Sequence, residues 1–87
     1  MPTGPEIAVM AREQLAALTG LEPDTLASLR KGEDGWHVTV VLVEMRRIPE
    51  ASDMLATYEA VLDDEGNLLG YERTSRYHRG EVLAKEE

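Results

Sequence analysis

Ile7, Ala11, Leu15 and Leu18 recur at three- and four-residue spacing and predict a helix from about Gly4 to Thr19 with one apolar stripe. Thr3-Gly4-Pro5-Glu6 has the Thr-x-x-Glu spacing of a capping box, and proline in the first turn removes a donor that would have had no intrahelical partner. Gly20 supplies the left-handed residue that ends many helices. Beyond it the periodicity changes. Leu26 to Arg30 reads as a short, weak strand; a competing reading makes Pro23–Leu29 a helical turn capped by Asp24. Trp36 to Met45, dense in valine, is the strongest strand signal. Arg46 to Ser52 contains Pro49 and predicts a connection, followed by strands at Met54–Asp63 and Leu68–Tyr77. Asp63-Asp64-Glu65-Gly66 between them predicts a hairpin turn.

The predicted order is an α+β fold: one N-terminal helix packed on a three- to four-stranded antiparallel meander. Alternation puts Trp36, Val38, Val40 and Leu42 on one side of the central strand, joined by Tyr58, Leu62, Leu69 and Tyr71. The other side carries His37, Thr39, Val41, Val43 and Met45, extended by Leu55, Thr57 and Val61. That second side is too apolar for a fully solvated face. Two readings of it stand side by side. Valines are good strand formers and scattered surface apolar residues are ordinary; contiguous apolar area also marks interfaces.

Length sets the limits of this picture. Eighty-seven residues make one domain with one modest core. Residues 1–80 form the predicted domain, and the charged, patternless segment 81–87 is expected to fray. The formal charge of −8 opposes general binding to phosphate backbones and anionic lipid surfaces. The absence of cysteine removes disulfides, thiol catalysis and thiolate metal sites, and fits a reducing cytoplasm. The start, Met1-Pro2-Thr3-Gly4-Pro5, has no secretory pattern, and the longest apolar run, Val40–Val43, cannot span a bilayer. The expectation is a soluble, cytoplasmic protein.

Candidate chemistry is sparse. His37 and His78 fall on different strands without ligand spacing, so no metal is expected. The Asp63–Asn67 run lacks the alternating ligands and closing glutamate of an EF-hand. Ser28, Ser52 and Ser75 have no nucleophile-elbow context, and no Gly-rich phosphate loop precedes a helix. No catalytic residue and no cofactor is therefore assigned. The basic residues do cluster. Arg46 and Arg47 end the central strand, and Arg73, Arg76 and Arg79 lie on or after the last, interleaved with Tyr71 and Tyr77. Arginine among aromatics suits single-stranded nucleic acid. Arg73 and Arg76 have opposite parity, however, and Glu44, Glu59 and Glu72 are at hand as cross-strand partners. Ion pairing across the sheet is the favoured reading.

The strands also carry a family pattern. Trp36-His37-Val38-Thr39-Val40, Val43-Glu44, Arg47-Ile48-Pro49 and Asp53-Met54-Leu55-Ala56-Thr57-Tyr58-Glu59 resemble the gas vesicle protein O family. The likeness continues in the same order through Leu62-Asp63-Asp64, Gly66, Leu69-Gly70-Tyr71, Arg73, Arg76-Tyr77 and Arg79-Gly80. Family members often carry a longer, charged N-terminal extension that this sequence lacks, and Val41 stands where the pattern has glutamate. The resemblance implies an accessory protein for building the gas-filled shell, minor or absent in the finished wall. It brings no enzymatic activity, no catalytic residues and no cofactor. It also implies contacts with other accessory or shell proteins, in the cytoplasm, at vesicles or their assembly intermediates. In that frame Arg47 and Pro49 would fix the strand connection, Tyr58 and Tyr71 would fill the core, and Glu59 would pair with Arg73 or Arg76. The candidate interaction surface is Thr39, Val41, Val43, Met45, Leu55, Arg73 and Arg76, with a homodimer through an exposed strand edge left open. The competing function is a nucleic-acid-binding regulator using Arg73, Arg76 and Arg79.

Overall fold

The computed structural model describes residues 2–80. Helix α1 spans Gly4–Thr19 and four strands follow, β1 (Glu22–Gly32), β2 (Gly35–Met45), β3 (Met54–Leu62) and β4 (Leu68–His78). A 3-10 turn at Glu50–Ser52 lies in the β2–β3 connection, beyond a cis Ile48–Pro49 peptide. The strands form one antiparallel meander in the order β1-β2-β3-β4. The expected α+β fold is the observed one.

The local chemistry of α1 is as its sequence dictates. The Thr3 hydroxyl accepts the Glu6 amide proton, and the Glu6 carboxylate accepts that of Thr3 at 2.8 Å. Gly20 closes the helix in the left-handed region at φ 74°. The apolar stripe Ile7, Ala11 and Leu15 is fully buried against Val38, Val40, Leu42, Ala60 and Leu62, with Leu29, Trp36 and Tyr58 packed at the margin. Leu18, the last member of the predicted stripe, is instead exposed. Burying side chains of this size is worth roughly 1.5–3 kcal/mol each, so this one layer supplies most of the stabilisation of so small a domain.

Three assignments change. The segment after Gly20 is neither a short strand nor a helical turn: β1 pairs with β2 along its whole length. Its register shifts twice, once between Pro23 and Thr25 and once between Leu26 and Ser28. Each shift inserts one residue, so Pro23, Leu26 and Leu29 all face the helix side at three-residue spacing. That spacing imitates a helix. On β4 the same device operates: Leu62 pairs with Leu68 and Val61 with Gly70, so Leu69 is the inserted residue and lies exposed, and Leu68 packs on the core in its place. Tyr71 does pair with Ala60 on the helix side, its ring centroid 6.2 Å from that of Tyr58, but it remains substantially exposed. Met45 also leaves its expected series. A register shift after Val43 pairs it with Met54, out of step with the Val43–Leu55 pair.

The β3–β4 connection is pinned from two sides. The Asp63 carboxylate accepts the amide protons of Glu65 and Asn67, each at 2.9 Å, which holds that carboxyl below its ordinary pKa. From the helix, the Gln14 side chain donates to the Gly66 carbonyl at 2.8 Å and accepts the Leu68 amide proton at 3.0 Å. Gln14→Ala leaves both backbone groups without their protein partner. We expect it to lower stability by roughly 1–2 kcal/mol in urea denaturation. A midpoint unchanged from the parent would show that the helix does not hold this turn.

Candidate functional site

Two side-chain constellations stand out, both at the end of the sheet where β2 leaves and β4 finishes. The first is centred on Glu44. A register shift between Thr57 and Tyr58 inserts Thr74 into β4, so Arg73 pairs with Tyr58 and Arg76 with Ala56. Alternation by sequence number puts these two arginines on opposite faces; the bulge puts both on the helix side. There both reach the same carboxylate, Arg76 through Nε at 2.6 Å and Arg73 through Nη1 at 3.1 Å. The small side chain of Ala56, between Leu42 and Arg76 in the register, leaves room for that reach. Glu44, and not Glu59, is therefore their partner.

The second constellation surrounds Asp53, which is 1% exposed. One oxygen accepts the Arg47 amide proton at 2.7 Å. The other accepts from the Arg79 guanidinium at 3.2 Å, with Arg46 a further 3.6 Å contact. Arg79 also donates to Asp24 at 3.1 Å, and its backbone amide donates to the Asp53 carbonyl at 2.9 Å. Arg46 in turn pairs with Glu22. The Arg47 hydrogen bond, then Arg79 and Arg46, hold the Asp53 carboxyl below the usual carboxylate range against the opposing effect of burial. One buried carboxylate thus ties β1, the β2–β3 connection and the end of β4 together. Sequence reasoning passed over it. The available signal was an aspartate directly before an apolar strand and a few residues after an Arg-Arg pair.

The seven residues singled out by sequence do not form one surface. Val41, Val43 and Leu55 cluster on the sheet side away from α1, with Tyr77 packed beside them, yet they are only 4–5% exposed. The expectation of an open apolar face is corrected at these three positions. Thr39 lies on the same side, half-buried, its hydroxyl accepting from Ser28 at 2.9 Å. Met45 is exposed but out of step with that series, and Arg73 and Arg76 are exposed on the opposite side. With Arg73 and Arg76 on Glu44 and Arg79 on Asp24 and Asp53, the three arginines proposed for nucleic acid each face a carboxylate.

Among the described residues no group of three or more His, Asp or Glu side chains is placed to hold a metal ion. A shallow apolar recess of about 680 Å³ is lined by Pro2, Pro5, Glu6, Val9 and Met10. Its one carboxylate is already engaged in the helix cap. Among the described residues no helix is long and apolar enough to cross a membrane.

The fold and site define a small α+β domain in which carboxylate–arginine pairs join the strand ends. The chain belongs to the family described as gas vesicle synthesis protein GvpO, whose model matches residues 3–83. It is 46% identical over 67 residues to gas vesicle protein O of a Streptomyces species, covering 77% of this chain and 52% of that protein. It is 38% identical over 75 residues to gas vesicle protein O of Haloferax mediterranei, covering 85% and 54%. Gas vesicle protein O1 of Halobacterium salinarum is 34% identical over 72 residues, covering 83% and 60%. The chain thus spans little more than half the length of these curated relatives. No solved structure matches it.

Proposed function

We propose that this chain is a non-enzymatic accessory factor in gas vesicle formation, acting through contacts with other gas vesicle proteins during nucleation or assembly. Its place of action is the cytoplasm, at vesicles or their assembly intermediates. The observation that carries the reading is the family match over residues 3–83. The pairing of its arginines with carboxylates is consistent with it. The exposed Met45, Arg73 and Arg76 are the first surface a partner would meet; Thr39, Val41, Val43 and Leu55 form a second, which a partner would have to uncover.

The test is purification of the tagged chain from cells expressing a complete gas vesicle gene cluster. Other vesicle proteins should co-purify, and an Arg73→Ala, Arg76→Ala double variant that melts like the parent should lower their yield several-fold. Recovery of the chain alone would reject the proposal. Salt-sensitive recovery of RNA or DNA, lost on the same substitutions, would replace it with the nucleic-acid reading.

A further inference from the structure

The β2–β3 connection presents an isoleucine to water. Ile48 is 99% exposed, the most solvent-accessible of the large apolar side chains among the described residues. It does not sit on a loose loop. The preceding residue is anchored by the Arg47 amide on Asp53 at 2.7 Å. The following turn is closed by Ser52 donating to the Pro49 carbonyl and Asp53 to that of Glu50, each at 2.9 Å. The buried carboxylate that makes the first of these contacts is itself clamped by Arg79. The backbone that carries Ile48 is held on both sides, so a partner would have little chain ordering to impose on the connection when it binds.

The charge beside it is equally specific. Arg46, Arg76 and Arg79 each engage a carboxylate. The Arg47 guanidinium is exposed and has no carboxylate partner among the described residues. We propose that Ile48 and Arg47 form a docking knob for a protein partner bearing an apolar pocket with a carboxylate at its rim, the isoleucine filling the pocket and the guanidinium pairing at its edge. A second copy of this chain is a poor occupant: each copy carries −8, and one isoleucine buries far less than a stable dimer needs. A small knob of this kind suits transient contact, as an assembly factor requires. The inference rests on the function proposed above and adds a further place of contact, separate from Arg73 and Arg76, with its chemistry.

The experiment uses the full chain and each protein of a gas vesicle gene cluster, purified singly and immobilised, with binding read at low and high salt. One of these proteins should bind the parent. Ile48→Asp and Arg47→Glu should each weaken that binding at least tenfold, Ile48→Val should stay within about threefold, and added salt should reduce affinity. Both substituted side chains are exposed and the Arg47 amide survives replacement, so the variants should melt like the parent. Binding that persists within twofold in both variants overturns the knob and leaves the assembly function standing. Binding to none of the proteins overturns both. Self-association abolished by Ile48→Asp in sedimentation, or oligonucleotide binding abolished by Arg47→Glu, assigns the loop a different occupant and also overturns the proposal.

Discussion

Asp53→Ala should be among the most damaging single substitutions in this protein, lowering the melting temperature by roughly 10 °C or more. The loss is larger than one hydrogen bond. The Arg47 amide loses its acceptor, and Arg79 loses half of the carboxylate cage that holds it. Arg79 is already demanding, because its Nε is buried without a hydrogen-bond partner among the described residues. Arg79 keeps Asp24 but loses the partner that lies buried, and removing one side of such a pair costs more than the pair contributed when intact. Asp53→Asn separates the two effects, since an amide oxygen can still accept from Arg47 but carries no charge for Arg79 and Arg46. It should fall between the parent and Asp53→Ala.

The same carboxylate makes stability depend on pH in a defined direction. Its folded pKa lies below the ordinary value, first because of the Arg47 amide and then because of Arg79 and Arg46. The unfolded chain therefore takes up this proton first as the solution is acidified, at about pH 4. The contribution is complete above that pH and is lost as pH falls through the lower folded value. Asp63 and Asp34 are shifted the same way, by the Asn67 amide and by His37 respectively, so acid should destabilise the domain through several groups together. Urea midpoints between pH 6 and 2.5 should fall more shallowly in Asp53→Asn than in the parent. Parallel curves would mean that Asp53 is not ionised in its clamp.

Which parts of this architecture can be read from sequence follows from where the strands stay regular. The helix, its box and its glycine stop are local signals, and β2 and β3 keep strict alternation through most of their pairing. The outer strands do not. In β1 and β4 each inserted residue turns a two-residue repeat into three, as in Leu26 and Leu29, Leu68 and Tyr71, or Arg73 and Arg76. A reading by parity then assigns Leu69 to the core and separates two arginines that share Glu44. Bulges on edge strands are common because they bend and twist an exposed edge away from pairing with another sheet, so the illegible positions are the outermost ones. Asp53 was missed for a different reason. Its partners come from residues 46, 47 and 79, with Asp24 joined to it only through Arg79, and the closed meander is what brings residues 24 and 79 to this connection.

Gly35 supplies the second large effect, and here the cause is steric. Gly35 opens β2 opposite Gly32, with φ at 129°, a backbone conformation that L side chains rarely adopt. A Cβ at this position would overlap the carbonyl of Leu62, a backbone group in the β2–β3 ladder that no rotamer change can move aside. Gly35→Ala must therefore shift either the β1–β2 turn or the start of the central pairing, and both carry the core residues Trp36 and Val38. We expect a cost of about 2–4 kcal/mol from backbone strain and overlap together. Gly70 provides the control. It lies in β4 with no positive φ, and a methyl group added there would meet no heavy atom within 4 Å. Gly70→Ala should therefore be neutral or stabilise by up to about 1 kcal/mol through the entropy of the unfolded chain. Urea denaturation of the two variants side by side removes any general effect of adding a methyl group to a strand. If Gly35→Ala unfolds at the same midpoint as Gly70→Ala, β2 does not begin against Leu62. If it unfolds well below, the close approach of β2 to β3 is what reserves this position for glycine.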